Sequence, residues 1–267
     1  MDKQIRFVDL KYLDLLGGLH HLTIPIDNFA LKRPFGIDGS SLAGFSSRKD
    51  SDLVVIADPK TRSVDPFFEE PTLSFFANIY HPDGSRFEAD PRAIIEKAKK
   101  KARAYGRPYF QVELEFYIFR RLSVEHWPGG YSVAFESDDS ASYHSPLPND
   151  RFSRIRDRIS QVLSRLGIPI RYHHHELGPG QQEIELELVP LDRIGDVITL
   201  ARYVIKNVCA TEGLKASFLA KPLSGAPGSG LHIHHLIRKK GSIFGRKRLT
   251  RIGRYYLGGL LTHAPAL

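Results

Sequence analysis

The sequence predicts an α+β fold, with a small N-terminal sheet domain followed by a strand-lined domain that begins near residue 90. Short apolar or alternating segments dominate the first 80 residues, whereas helical patterns and further strands are mixed after that point. The chain has 267 residues, 42% of them hydrophobic, which is enough for one large or two modest domains.

The N-terminal part predicts four strands separated by turns. The predicted strands span residues 5–10, 20–26, 52–57 and 72–79. Residues 34–41 are rich in Pro, Gly, Asp and Ser, which favour turn geometry, so this segment predicts a loop.

The second part mixes helices and strands. Pro91 opens a helix that ends before Gly106, because proline suits a first turn and glycine a helix end. Residues 127–148 predict a surface loop, and Asp150 is the expected cap of the helix that follows. The other predicted elements are strands at 111–119, 168–175, 182–189, 215–219 and 230–237, and helices at 191–211 and 249–263.

Composition excludes several classes of protein. No apolar run approaches the ~20 residues that cross a bilayer, so no membrane partner is expected. The N-terminus lacks the apolar stretch of a signal peptide, and the single cysteine, Cys209, forms no internal disulfide. We therefore expect a cytoplasmic protein.

The net charge of +8 raises the question of nucleic-acid binding. The basic residues form two blocks, at 97–103 and 238–251, and neither block contains interleaved aromatics for stacking on bases. A solvated helix face or a field for anionic substrates explains these blocks better, so the sequence does not predict a nucleic-acid partner.

Acidic residues of two predicted strands indicate a metal site. Side chains alternate along a strand, so Glu113 and Glu115 share one face. Glu183, Glu185 and Glu187 also share a face. Glu185 and Glu187 fit a solvent-facing strand, whereas Glu183 follows an unusual loop at 178–182. Carboxylates on an inner face repel each other unless cations offset them, and Mg²⁺ or Mn²⁺ prefers such oxygen ligands.

Histidines and glycines adjoin these carboxylates. His173, His174 and His175 alternate faces and cannot all bind one ion, and each also fits a surface or core position. Glu176 shares a face with His174 and is the better ligand candidate. The segment Gly228-Ser229-Gly230 lets the backbone approach a ligand closely, and it precedes His232 and His234 on one strand face.

These residues lie in motifs that resemble class I glutamine synthetase over nearly the whole chain. The motifs are Phe7-Val8-Asp9-Leu10, Ile37-Asp38-Gly39-Ser40-Ser41, Ser51-Asp52-Leu53, Asp65-Pro66-Phe67-Phe68, Glu113-Leu114-Glu115-Phe116, His174-His175-Glu176, Pro179-Gly180-Gln181-Gln182-Glu183, Lys221-Pro222 and Gly228-Ser229-Gly230-Leu231-His232. Each motif is modest alone, whereas their order and spacing together are specific. The resemblance implies a β-grasp domain at 1–88 and, at 89–267, part of a catalytic domain built on an antiparallel strand-lined half barrel with flanking helices.

The resemblance also implies a reaction. ATP phosphorylates the γ-carboxylate of glutamate, and ammonia displaces the phosphate to give glutamine. By position, the first Mg²⁺ or Mn²⁺ would bind Glu115, Glu176 and Glu183, and the second would bind Glu113 and His232. The nucleotide would lie near His234, Ser229 and Gly230. Asp38 and Ser41 of a neighbouring subunit would bind and deprotonate ammonium.

The sequence departs from the family in two ways. The family's C-terminal half, with its substrate-binding arginines and one further metal ligand, has no counterpart in this sequence. Pro227, Leu236 and Phe45 stand where asparagine, serine and tryptophan are common in the family. We therefore expect a ligase that works only with a second polypeptide that supplies the C-terminal half, or a truncated product of such a gene. The expected partner is another copy in a homo-oligomer or a complementing C-terminal chain.

Three alternatives remain open from the sequence. The chain is a non-catalytic relative that binds metal or nucleotide, or that partners a full-length subunit. It is a relative that joins glutamate or a related amino acid to an amine other than ammonia. It is an unrelated basic protein that binds metal or nucleic acid, in which case the order of the motifs is a coincidence.

Overall fold

The computed structural model describes residues 4–45, 51–137, 139–239, 241–245 and 247–266. Lys240 and Arg246, which belong to the second basic block, lie outside the described residues. The chain divides into two compact units, Met1–Lys101 and Ala102–Leu267. The predicted domain boundary between residues 88 and 89 stays a prediction.

The first unit is a six-stranded mixed sheet with one helix. Its elements are β1 (Phe7–Leu13), β2 (Leu19–Pro25), β3 (Phe35–Asp38), β4 (Asp52–Ala57), β5 (Ser63–Asp65), β6 (Thr72–Tyr80) and α1 (Pro91–Ala102). The strand order is β2-β1-β6-β4-β3, with β5 also paired to β6. β1 and β6 run parallel, and the other neighbours are antiparallel.

The central strand β1 is buried on both faces. Val8 and Leu10 belong to the apolar core on one face. On the other face the Lys11 ammonium lies 2.6 Å from a carboxylate oxygen of Asp9 and 2.8 Å from one of Asp65. A buried ammonium is stable only when carboxylates offset its charge, so this unit depends on the Lys11 ion pairs.

The loop predicted at residues 34–41 is partly wrong. Phe35–Asp38 forms β3, which pairs with β4, and only Gly39–Ser41 makes a 3-10 turn. Backbone hydrogen bonds to β4 hold these residues in a strand, so this contact overrides their preference for turns. The sequence does not predict the short strand β5, because three residues are too few to show an alternation of apolar and polar side chains.

The second unit is organised around one long strand. Its elements are β7 (Arg107–Phe119), β8 (Arg121–Trp127), β9 (Gly130–Glu136), α2 (Ser153–Arg165), β10 (Ile170–His175), β11 (Gln181–Leu186), β12 (Val189–Pro190), α3 (Leu191–Thr211), β13 (Lys215–Ser217), β14 (Leu231–Arg238) and α4 (Arg251–His263). Glu113 and Leu114 pair with β11 and also with β14, so these strands flank β7 on its two sides. β10 continues the sheet beyond β11.

Two helices cover one face of this sheet. α3 contacts β7, and α2 packs against β10 and α3. The covered face of β7 carries Val112, Leu114 and Phe116, which are at most 2% exposed. The Glu113 and Glu115 side chains point the other way, because successive side chains alternate along a strand. The packing of the helices therefore leaves the carboxylates on the uncovered face.

Two further predictions in this unit are corrected. Residues 127–136 are not loop, since β8 and β9 form an antiparallel hairpin whose strands extend from Arg121 to Glu136. Asp150 does not cap α2, whose N-cap is Phe152, and the Asp150 carboxylate instead pairs with the Arg156 guanidinium. The predicted pairing of the two strands around residues 178–180 is confirmed. Among the described residues, no helix is long and apolar enough to cross a membrane.

Candidate metal centre on the acidic face

Polar side chains from four strands share the uncovered face of the sheet, which we call the acidic face. The strand register places Glu183 opposite Glu115, Glu185 opposite Glu113, His174 opposite Glu183, and His232 opposite Glu113. Cross-strand partners of this kind lie about 5 Å apart at Cβ, so their side chains meet. The sequence places Glu113 and Glu115 on one face, and pairing brings the other strands to them.

The first group of ligand atoms surrounds His174. Its Nε2 lies 3.6 Å from Oε1 of Glu183, and its Nδ1 lies 3.6 Å from Oε1 of Glu176. Each of the three residues offers one ligand atom, and these atoms lie within 4.8 Å of one another. Burial raises the pKa of Glu176, and the negative charges of Glu183 and Glu115 raise it further. Two neighbouring carboxylates therefore add to the effect of burial at this position.

Glu115 is held beside this group by two donors. Its Oε2 accepts hydrogen bonds from Nε2 of Gln181 at 2.9 Å and from the backbone N–H of Gly230 at 3.0 Å. Gln181 also donates to the carbonyl of Gly228 at 2.9 Å. Oε1 of Glu115 lies 3.6 Å from Nδ1 of His232. The donors fix one oxygen and leave the other directed toward His232.

Glu113 lies between two imidazoles. Nδ1 of His232 is 2.8 Å from its Oε2, and Nε2 of His234 is 2.6 Å from its Oε1. Burial raises the pKa of Glu113, but hydrogen bonds with His234 and His232 outweigh burial, so the pKa lies below its usual value. Glu113 is therefore a carboxylate at neutral pH, with both oxygens available to cations or imidazoles.

The glycine segment before β14 approaches these groups closely. A Cβ on Gly230 would lie 2.7 Å from both Oε1 of Glu115 and Nε2 of His232, so only glycine fits there without displacement. The backbone N–H of Ser229 donates to the carbonyl of Ala220 at 2.8 Å. The side-chain hydroxyl oxygen of Ser229 is buried and has no hydrogen-bond partner in the described part of the chain.

Comparison with protein-family models assigns the chain to a family. The family model described as "Glutamine synthetase, catalytic domain" matches residues 88–267, and the one described as "Glutamine synthetase, beta-Grasp domain" matches residues 4–82. The chain belongs to the glutamine synthetase family. The predicted α+β fold, with a β-grasp domain followed by a half-barrel sheet, is thereby confirmed.

Individual relatives agree with this assignment. A 3-hydroxylaminophenol mutase from Cupriavidus pinatubonensis is 33% identical over 298 residues, and a glutamine synthetase from Frankia alni is 34% identical over 299 residues. Both alignments cover 100% of this chain and 63% of the relative, so the chain spans less than two thirds of their length. A Plasmodium falciparum glutamine synthetase structure shares the fold, with 22% identity, a TM-score of 0.88, and coverage of 97% of this chain and 57% of that one.

The donor set of the acidic face fits the divalent cations that members of the glutamine synthetase family use. Glu113, Glu115, Glu176 and Glu183 supply carboxylate oxygens, and His232 supplies an imidazole. Hard cations such as Mg²⁺ and Mn²⁺ prefer oxygen ligands, with an occasional imidazole. Burial raises the pKa of Glu176, and the charges of Glu183 and Glu115 add to the rise, so a cation here would offset both the burial and the repulsion.

Asp38 and Ser41 belong to the first compact unit. The Asp38 carboxylate accepts hydrogen bonds from the Ser40 hydroxyl at 2.7 Å and the Ser41 hydroxyl at 2.9 Å. The hydrogen bonds from Ser40, followed by that from Ser41, hold the pKa of Asp38 below its usual value. Asp38 is exposed and ionised at neutral pH, which suits contact with a cationic ligand.

The sequence interpretation of Glu185 is wrong. Glu187 is exposed, as predicted, although it lies just after β11 rather than on it, whereas Glu185 is only 1% exposed. Pairing with β7 and β10 on both sides buries the middle of β11, which alternation along a single strand does not reveal. The sequence reasoning also missed Gln181, although its position two residues before Glu183 places it on the same face.

Proposed function

We propose that this chain forms the metal-binding and nucleotide-binding part of an ATP-dependent carboxylate–amine ligase. The reaction joins ammonia, or a related amine, to the γ-carboxylate of glutamate or a related amino acid through a γ-glutamyl phosphate. One observation carries the proposal: five carboxylates and three imidazoles converge on one uncovered sheet face in a member of the glutamine synthetase family.

Two divalent cations, Mg²⁺ or Mn²⁺, fit the acidic face. Glu115, Glu176 and Glu183 would hold one of them, and Glu113 with His232 would hold the other. When bound, such cations offset the negative charge of the phosphoryl group during its transfer. Gln181 and the N–H of Gly230 orient the Glu115 carboxylate in advance, which lowers the cost of assembling the site.

The phosphates of ATP would contact the glycine segment and the end of the acidic face. The Ser229 hydroxyl, which has no hydrogen-bond partner among the described residues, supports the placement of phosphate oxygens beside this segment. His234 is 58% exposed and holds Glu113 through one ring nitrogen. The other ring nitrogen has no hydrogen-bond partner among the described residues, and it would contact a phosphate oxygen in the proposed complex.

Asp38 would bind the ammonium ion and accept its proton before ammonia attacks the acyl phosphate. Its hydrogen bonds with Ser40 and Ser41 keep the carboxylate ionised, so it attracts a cation. The family resemblance assigns this role to the β-grasp domain of a neighbouring subunit, so a homo-oligomer is part of the proposal.

The remaining groups of the active site are proposed to come from polypeptide that this sequence does not span. The sequence covers 63% of the length of both relatives named above. Anionic substrates need cationic partners such as arginine, which are proposed to lie in the remaining part. The partner is therefore a further segment or a complementing C-terminal chain. We place the reaction in the cytoplasm, because the only cysteine of the sequence is a free thiol.

The test measures ATP-to-ADP turnover and γ-glutamyl transfer with glutamate, ammonia and Mg²⁺ or Mn²⁺. The chain is assayed alone and after mixing with a polypeptide that spans the remaining third of a family member. We expect turnover only in the mixture, and its loss with Glu115→Ala. Alkylamines replace ammonia in a parallel series, which identifies the amine acceptor.

Two results would contradict the proposal. Turnover by the chain alone that Glu115→Ala abolishes would show that no complementing polypeptide is needed. No turnover in either preparation, with Mn²⁺ still bound, would instead indicate a non-catalytic relative that binds metal.

A further inference from the structure

Glu185 is a buried carboxylate that the two proposed metal positions do not use. It lies on β11, two residues after Glu183, and the register places it opposite Glu113 of β7. It is 1% exposed, although carboxylates almost never lie fully buried without a partner. Its position on the acidic face therefore requires an explanation.

Neighbouring donors satisfy only one of its oxygens. Oε1 of Glu185 accepts hydrogen bonds from Nε2 of Gln111 and from Nη1 of Arg171, the latter at 2.5 Å. A hydrogen bond of Tyr172 to the same carboxylate raises the pKa of Tyr172 to about 12. Oε2 of Glu185 is buried and has no hydrogen-bond partner among the described residues. A buried oxygen of this kind is costly unless a donor or a cation reaches it.

The Glu185 carboxylate converges with two others. Glu113, Glu183 and Glu185 each offer one oxygen, and these three oxygens lie within 4.8 Å of one another. Two oxygens on opposite sides of Ca²⁺, with oxygen distances of 2.3–2.6 Å, are separated by up to about 5 Å, and on opposite sides of Mg²⁺, at 2.0–2.1 Å, by about 4 Å. The three oxygens are therefore close enough to share one Ca²⁺, and they need to approach by less than about 1 Å to share a smaller divalent cation.

The cationic side chains nearby lie on the outer side of this group. Arg171 pairs with Glu185 but is 51% exposed, so solvent screens much of its charge. The two imidazoles that contact Glu113 are 58% exposed. These groups offset part of the negative charge without reaching Oε2 of Glu185.

We propose that Glu185 is the ligand of a further divalent cation, which it shares with Glu113 and Glu183. The site goes beyond the proposed ligase function, since cation binding at Glu185 requires neither nucleotide nor turnover. It also joins two carboxylates that the family resemblance assigns to separate ions.

The test counts Mn²⁺ ions bound by the purified chain, from the free-Mn²⁺ signal in electron paramagnetic resonance. Wild type is compared with Glu185→Gln, which keeps the shape and an acceptor for Arg171. Glu187→Gln is the matched control, because Glu187 comes directly after β11 and is exposed. We expect Glu185→Gln to lose one bound ion, or to weaken one site at least tenfold, while the control matches wild type. Unchanged stoichiometry and affinity in Glu185→Gln would overturn the proposal.

Arg171→Ala is a second test that leaves all three carboxylates in place. If Glu185 binds a cation, removal of the competing guanidinium should tighten Mn²⁺ binding at one site severalfold. If Arg171 is the only partner that Glu185 needs, the variant should lose stability with no gain in Mn²⁺ affinity, which would count against the proposal.

Glu176→Gln separates this inference from the proposed function. Loss of Mn²⁺ in Glu176→Gln but not in Glu185→Gln would refute the further site and leave the ligase assignment intact. Loss in Glu185→Gln but not in Glu176→Gln would support the further site and contradict the first metal position.

Discussion

The buried imidazole of His175 is joined to the buried carboxylate of Asp139, with 2.6 Å between Nε2 and Oδ2. Nδ1 of the same ring lies 2.5 Å from the carbonyl oxygen of Glu176. Both neighbours are acceptors, so the ring donates from both nitrogens and is an imidazolium. Burial lowers the pKa of His175, but the bonds to Asp139 and Glu176 outweigh burial and raise it. Asp139 also accepts from the backbone N–H of Gly180 at 2.7 Å, so this pair anchors the connection between β10 and β11.

Asp139→Ala should strongly destabilise the second unit. Removal of one partner from a buried ion pair leaves the other charge uncompensated, which costs about 3–5 kcal/mol. Urea unfolding followed by circular dichroism measures the change. Glu125→Ala removes the same charge from an exposed position of β8 and should change the free energy of unfolding by less than about 0.5 kcal/mol. Equal stability of the two variants would show that the buried pair contributes little.

Asp14 should make the first unit sensitive to acid. Burial raises the pKa of Asp14, but hydrogen bonds with His20, Gly18 and Leu16 outweigh burial and lower it. A carboxyl whose folded pKa is depressed stabilises the protein above its unfolded pKa of 3.8, and this contribution is lost as the pH falls through the folded pKa. The difference in free energy of unfolding between wild type and Asp14→Asn should therefore be constant near neutral pH and shrink below about pH 4.

Denaturant unfolding at a series of pH values tests this expectation. Asp27→Asn is the control, because it makes the same change at an exposed position. A difference between wild type and Asp14→Asn that persists unchanged at pH 2 would contradict the assignment.

Mn²⁺ should stabilise the protein through the carboxylates of the first metal position. A ligand present at 100 times its dissociation constant adds about 2.7 kcal/mol to the folded state. Glu115→Ala, Glu176→Ala and Glu183→Ala should each reduce the Mn²⁺-dependent rise in melting temperature, measured by differential scanning calorimetry, because one of the bound cations is lost. Glu187→Ala should retain the full rise. Retention of the full rise in all three variants would exclude this position as a metal site.

Gly230→Ala should impair cation binding more than stability. The added Cβ would lie 2.7 Å from both Oε1 of Glu115 and Nε2 of His232, so both side chains must move. We expect Mn²⁺ affinity to fall at least tenfold, as measured by isothermal titration calorimetry. Gly195→Ala is the control, since Gly195 lies inside α3 with no atom within 4 Å of its added Cβ. The control should keep its Mn²⁺ affinity and gain about 0.5–1 kcal/mol of stability. Similar Mn²⁺ affinity in both variants would show that the close approach at Gly230 is not needed.

Features that depend on neighbouring residues were predictable from the sequence. Alternation along one strand placed Glu113 and Glu115 on a common face and separated His174 from His175. Proline at the start of α1 and glycine after its end located that helix to within a few residues. The order of the short motifs predicted the family, which the comparisons confirm.

Features that depend on distant residues were decided by the tertiary structure. Glu185 and Glu187 have the same alternation, yet only Glu185 is buried, because Glu185 lies within β11, which pairs on both sides there, whereas Glu187 lies beyond the end of that strand. Asp139 lies 36 residues before His175, and no local pattern connects the two. The hairpin of β8 and β9 likewise depends on cross-strand pairing within a segment of weak local signal.

The sequence by itself determined the family, the α+β class and the identity of the candidate metal-binding side chains. Those conclusions need only residue types, their spacing and the two-residue period of a strand. The tertiary structure decided which carboxylates are buried, which donors orient them and which oxygens remain without a partner. These properties arise because strand pairing brings distant segments within hydrogen-bond distance and excludes water from the side chains between them.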